Sequence, residues 1–327
     1  MGKSRSISQQ LIHAISVCGA IGQSKRSYKG QHGDTGYKIF SIGYRDDLKK
    51  TARDLGDYIR ENHPDIRMSR NISADVLQGY LQHKAENGCT ATYLSKLQSH
   101  LVKMDKCCSH AFGSTDWHTD RLQLPAVKDG ATEKIRDKVA TDTEYQKLLT
   151  IMQQPNRGEA WKAVILAREA GLRVQEAAEV KVGRLTQTGG RWGCGTITLQ
   201  GKIDGTKGGR WRTVDILSKE SAKALKTVFE GLKAGEHAIK QKNGLPVKSD
   251  SLNRALQRAV ASDPKIAADW KKNNGMHVFR KAFAQECYDA ARNTGCSKKE
   301  ASDYANQQLG HGYDRTDLTA AYIQNQW

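Results

Sequence analysis

Four separated stretches in the C-terminal half of this chain hold residues that a phosphate-handling site would want. AGLRVQEAAEV places Arg173 directly after a glycine suited to ending a helix, with Glu176 three positions on. MHVFRKAF spaces His277 and Arg280 as i and i+3, hence on one helical face. A Gly-rich connection offers Lys207, and LGHGYDRTDLTAAY offers His311 and, eleven residues later, Tyr322. Taken singly, each has an ordinary reading. An Arg with a Glu at i+3 is usually a surface ion pair worth little. A Lys in a Gly-rich hairpin is usually solvated, a His before an aromatic residue often packs, and a Tyr on a terminal helix often only anchors it. The set is more specific than its members, because guanidinium forks meet phosphate oxygens bidentately and never lose their charge.

Positioning such a set requires a scaffold, and the sequence outlines a mainly helical one. Leu48, Ala52, Leu55 and Ile59 form one face of a helix that stops near Pro64. Ser73 is the expected N-cap of a second helix carrying Val76, Leu77, Tyr80 and Leu81, and a Thr opens a third carrying Tyr93, Leu94, Leu97, Leu101 and Met104. Thr141 or Thr143 caps a helix through Tyr145, Leu148 and Leu149, and another runs from Glu159 to Gly171. The β texture lies in TITLQGK (Thr196 to Lys202) and RWRTVDI (Arg210 to Ile216), joined by IDGTKGG as a mobile hairpin tip bearing Lys207. Helices are expected again at Glu220–Lys233, Ser251–Ala261, Val278–Arg292 and Lys298–Leu309, with a last one around Asp317–Gln324. The fold class is therefore mainly α with a small antiparallel sheet. Residues 1–38 read as a basic N-terminal arm, although Leu11 to Gly22 also suits an amphipathic helix. Residues 39–112 read as a compact helical module, 113–140 as a linker, and 141–327 as the domain holding the candidate site.

Composition narrows the partner. Fifty-two Lys and Arg against 35 Asp and Glu give a formal charge of +17, a self-repulsion that a polyanion such as nucleic acid relieves. Seven scattered Cys, without a C-x-x-C pair, suit reduced thiols in a cytoplasm. Cys107, Cys108, His110 and His118 lie close in sequence but match no standard zinc spacing. Nothing reads as a transmembrane segment, and neither a cofactor nor a metal is expected.

With GLRVQEA, GTKGGRWRTVDI, HVFRKAFA and LGHGYDRTDLTAAYI in this order, the C-terminal half resembles the tyrosine recombinases, the phage-integrase type of site-specific DNA recombinase. The likeness covers roughly residues 140–327, and residues 39–112 resemble that family's helical core-binding domain in texture only. It implies that Arg173 and Arg280 clamp the scissile phosphate while Glu176 orients Arg173 from behind. It implies Lys207 as general acid, His277 and His311 as proton-handling or hydrogen-bonding partners, and Tyr322 as nucleophile. The product would be a 3′-phosphotyrosine that conserves the broken bond's energy. The likeness further implies a two-domain C-shaped clamp on double-stranded recombination sites and a homo-tetramer on two duplexes, encoded by a bacterium or phage. It admits accessory DNA-bending or directionality proteins. A strand nicking-resealing enzyme of the type IB topoisomerase kind, or a catalytically silent regulator, are the alternatives. The chain departs from the family pattern in two places. Lys281 stands where many relatives have His, and the His311–Tyr322 interval is long, which implies an extra turn before the last helix. Tyr313 is a rival nucleophile, and Trp327 the expected anchor of the C-terminus.

Overall fold

The computed structural model describes residues 5–127, 138–155, 157–270 and 274–324, the side chains of 316–318 excepted. Trp327 and part of the expected linker lie outside the described residues. The chain divides into two compact units, Met1–Ile135 and Arg136–Trp327.

The first unit is helical: α1 (Ile7–Val17), α2 (Lys25–His32), α3 (Ile42–Asn62), α4 (Ala74–Glu86) and α5 (Ala91–Phe112). The expected N-terminal arm is corrected here. Ser6 and Gln9 form a capping box that starts α1. Leu11, Ala14 and Ile15, spaced as one helical stripe, are then fully buried against α3 and α5. The crossing is close, since a Cβ at Gly56 of α3 would lie 2.0 Å from the Ser8 hydroxyl oxygen. Ile39 is also fully buried and bridges back to Gly19. Within the segment read as an arm, α2 buries no side chain. The linker reading fails in its first part as well. Trp117 is fully buried, and its indole N–H donates to the Ser69 carbonyl at 2.7 Å. Apolar burial outweighs the Gly and Asp punctuation around it. Ser73 and Thr90 cap α4 and α5, each accepting from the backbone N–H three residues on.

The second unit contains α6 (Asp142–Met152), α7 (Trp161–Glu169), α8 (Val174–Glu179) and a sheet of β1 (Leu185–Thr186), β2 (Thr196–Gln200) and β3 (Trp211–Asp215). These are followed by α9 (Lys219–Phe229), α10 (Ser249–Ala261), α11 (Pro264–Asp269), α12 (His277–Asn293), α13 (Lys298–Gln308) and α14 (Thr316–Tyr322). The sheet is antiparallel in the order β1–β2–β3. β1, two residues long, has no periodicity to announce it. Buried from Lys162 to Glu169, α7 packs against α8, α9 and α12, and α12 packs against α13. Among the described residues no helix is long and apolar enough to cross a membrane, and no His, Cys, Asp and Glu group is placed to hold a metal.

Candidate active site

The site starts where α7 stops. Gly171 takes a φ of +57°, and a Cβ there would lie 2.3 Å from Phe283, so glycine alone fits the turn. That turn delivers Arg173 to the N-cap of α8. Its backbone N–H donates to one Glu176 carboxylate oxygen at 2.7 Å and its guanidinium to the other at 2.9 Å. Glu176 is fully buried. It therefore sits behind Arg173, whose side chain stays 26% exposed.

Glu176 holds more than one guanidinium. Arg212 of β3 donates to it at 2.6 Å, and Arg280 of α12 approaches within 3.9 Å. Three cations thus surround one buried anion, leaving an excess of two positive charges. Burial and the neighbouring arginines push Arg212 down to about 9 while Glu176 pulls it up. Arg212 went unread in the sequence, although the alternation of β3 puts it on the inward face with Val214. A charged residue at an inward strand position was the available signal.

Arg280 is fully buried and its fork is largely engaged. One terminal nitrogen donates to the Gly171 carbonyl, and the other donates to the Leu309 carbonyl at 2.5 Å. The second nitrogen also faces His311 Nε2 at 3.4 Å. Its Nε has no hydrogen-bond partner among the described residues. Burial first, then the charge of Arg173, lowers its pKa, with Glu176 and Tyr322 opposing.

His311 lies on the turn after α13. Gly310, at φ +68°, leaves room for Arg212, whose Cδ would be 3.0 Å from an added Cβ. The His311 backbone N–H donates to the Asn306 carbonyl at 2.8 Å. Burial, then Arg280, Arg173 and Arg212, push His311 down to about 3, so the ring is neutral near pH 7. A guanidinium can only donate, so Nε2 accepts and the ring proton resides on Nδ1. That Nδ1 is buried with no hydrogen-bond partner among the described residues.

Tyr322 ends α14, 8% exposed. Its ring meets His277 edge-on at 4.9 Å and His311 at 5.0 Å, centroid to centroid, with the Arg280 guanidinium carbon 5.9 Å away. The long interval before it is filled by a turn, with Asp314 at φ +53°, and by α14 itself. The Asn306 side chain holds this segment to α13, donating to the Thr319 hydroxyl at 2.9 Å and the Arg315 carbonyl at 3.4 Å. Tyr313 instead stands 67% exposed.

Lys207 arrives on a connection more built than a bare hairpin tip, made of two short 3-10 turns. The fully buried Asp204 accepts from the Gln200 backbone N–H at 2.6 Å and from Arg184 at 2.8 Å. The Thr206 hydroxyl closes the turn on the Arg210 carbonyl at 2.9 Å. Gly205 seats the connection on α8, where a Cβ would come within 3.0 Å of the Gln175 carbonyl. Lys207 thereby lines a cavity of about 190 Å³ with Arg173, Arg212 and Gly310. His277, Arg280, His311 and Tyr322 are not among the residues of that lining.

Residues 126–286 match the family described as Integrase, a span that takes in Arg173, Lys207, His277 and Arg280 and ends ahead of His311 and Tyr322. No curated protein sequence matches the chain. The fold is similar to that of a lambda integrase tetramer bound to a Holliday junction. That match has a TM-score of 0.60 at 17% identity and covers 96% of this chain and 79% of that one. It is similar to the Tn1549 transposon integrase in complex with circular intermediate DNA (TM-score 0.56, 14% identity, 98% and 96% covered). It is also similar to the XerH site-specific recombinase bound to a palindromic substrate (TM-score 0.60, 12% identity, 98% and 91% covered). Identities this low speak for the fold, while the family match speaks for descent. The matched segment, residues 126–286, belongs to the integrase family.

Proposed function

We propose that this protein is a site-specific DNA recombinase that cleaves and rejoins strands through a 3′-phosphotyrosine on Tyr322, serving the integration or excision of a mobile element. The observation that carries this reading is the cluster of Arg173, Arg212 and Arg280 around the buried Glu176, with Tyr322 against its edge. Its two excess positive charges suit a phosphodiester whose charge grows as it is attacked. In the proposed step the Tyr322 oxygen bonds to phosphorus as the bond to the 5′-oxygen breaks. The phenol proton passes to His277, beside the Tyr322 ring. Lys207 supplies a proton to the leaving 5′-oxygen, a poor leaving group without one. Arg173, the more open of the arginines, meets the non-bridging oxygens, and the His311 Nδ1–H donates to the phosphate. Arg280 and Glu176 brace this arrangement from behind. Reversal of the step with a new 5′-hydroxyl rejoins the strand without ATP. Like the lambda integrase tetramer, the protein is proposed to work as a tetramer on two duplexes.

The test is the covalent adduct on a nicked duplex that traps it. Tyr322→Phe keeps the ring and its packing but lacks the attacking oxygen, so the adduct is expected to vanish while DNA binding persists. Tyr313→Phe is expected to retain the adduct. Peptide mapping that put the nucleotide on Tyr313 overturns the assignment.

A further inference from the structure

A large aromatic side chain at the mouth of the arginine-lined cavity stands open to solvent. Trp211 begins β3 and is 68% exposed. It pairs with Gln200, while Arg212 pairs with Leu199, so the alternation of the strand turns the indole to the outer face. That face ordinarily carries polar side chains, as at Thr213 and Thr198, whose hydroxyls lie 3.1 Å apart. The ring is nevertheless seated. It lies over Gly201, at φ +66°, where an added Cβ would come 3.1 Å from Cδ1 and 3.2 Å from Nε1. Main chain thus backs the indole on one side and leaves the rest of it open. A ring held this way loses little side-chain entropy on meeting a ligand.

Trp211 also lines the cavity that holds Arg173, Lys207, Arg210 and Arg212. An anion bound by those four cations brings whatever is attached to it to the indole. A flat apolar face beside a phosphate-sized positive cavity matches a nucleotide: phosphate to the arginines, base to the ring. Two further exposed apolar side chains lie close in sequence to the lining residues, Ile203 on the same connection and Tyr313 next to the lining Gly312. We infer that Trp211 is a stacking platform for one unpaired nucleobase of the DNA strand whose phosphate occupies the cavity. This rests on the reading that the cavity takes a DNA phosphate. Passing a strand from one duplex to another requires bases to leave their partners, and every base offers a π-face. The platform therefore tolerates any sequence and holds the strand while it is between duplexes.

The experiment is equilibrium binding of the full chain to labelled oligo(dT) and to an abasic oligomer of equal length, which has the same phosphates without bases. The unmodified protein is expected to bind oligo(dT) about tenfold more tightly, the equivalent of ~1.4 kcal/mol and within the range for stacking one base. Trp211→Ala is expected to abolish most of that preference while leaving abasic binding unchanged, and Trp211→Phe to keep most of it. Equal weakening toward both oligomers, or none toward either, overturns the inference. So does a change in self-association without a change in base preference, which marks a protein contact instead. Binding does not require cleavage, so a Trp211-dependent base preference without any covalent adduct would sink the phosphotyrosine reading and leave this one standing.

Discussion

Arg173 and Arg280 carry the same charge in different settings, and their variants should fail differently. Arg173 is partly open and held by Glu176, whereas Arg280 is fully buried and ties the Gly171 and Leu309 carbonyls together. Lys preserves the charge at either position but not the fork. Cleavage by Arg173→Lys is expected to drop a hundredfold or so, the usual scale for one lost transition-state donor, with an unchanged melting temperature. Arg280→Lys should lose cleavage too, and also about 1–3 kcal/mol of stability for the buried groups it leaves unpaired. Equal melting temperatures for the two variants would contradict this division of labour. His311 offers a second check. Its folded pKa is pushed down to about 3, below the unfolded value near 6.5. Between those values the unfolded chain binds the proton and the folded chain does not, so this group's contribution to stability falls as pH is lowered from about 6.5 toward 3. His311→Gln should flatten that part of the stability curve, measured by denaturant titration across pH. The sequence offered Arg173, Glu176, His277, Arg280, His311 and Tyr322 as candidates because each sits in a local pattern. Arg212 escaped because what buries it, the Glu176 carboxylate and the Gln308 carbonyl, comes from distant segments.

At the scale of elements, the helices with caps and apolar stripes were legible, and those lacking one signal were not. Thr141, one of the two threonines read as possible caps, starts α6 through a box with Glu144. The stripe of α1 was visible too, but the basic, Gly-rich residues after it suggested an arm, and only tertiary packing makes it part of a core. The β2–β3 connection shows the same limit. Seven residues rich in glycine read as a mobile tip, yet one buried carboxylate, Asp204, organises them by accepting from Arg184 and from the Gln200 N–H. Asp204→Ala leaves Arg184 unpaired, a loss on the order of 3–5 kcal/mol where such a pair is fully buried. The expected result is slower cleavage with DNA binding retained, together with new proteolytic cutting between Gly205 and Arg210. A variant as resistant to protease as the parent chain would show that Asp204 does not organise the connection.

The molecule as a whole is a strong polycation, and its formal charge of +17 dictates how it should meet DNA. Each phosphate neutralised releases condensed counterions, so log K should fall by ~0.9 per contact for each tenfold rise in salt. Binding that stays level from low to high salt would remove the polyanion argument. The tether of the last helix has a consequence on this scale. Asn306 reaches across to Thr319 and to the Arg315 carbonyl, and Gln285 of α12 accepts from the Gln324 backbone N–H at 2.9 Å. These bonds keep Tyr322 beside the histidines and arginines of its own chain, so each copy should cut in cis, self-sufficient for chemistry even inside an assembly. A mixture of Tyr322→Phe and Arg173→Lys chains should then stay as inactive as either alone. Recovery of cleavage in the mixture would mean that one copy lends its tyrosine to another in trans.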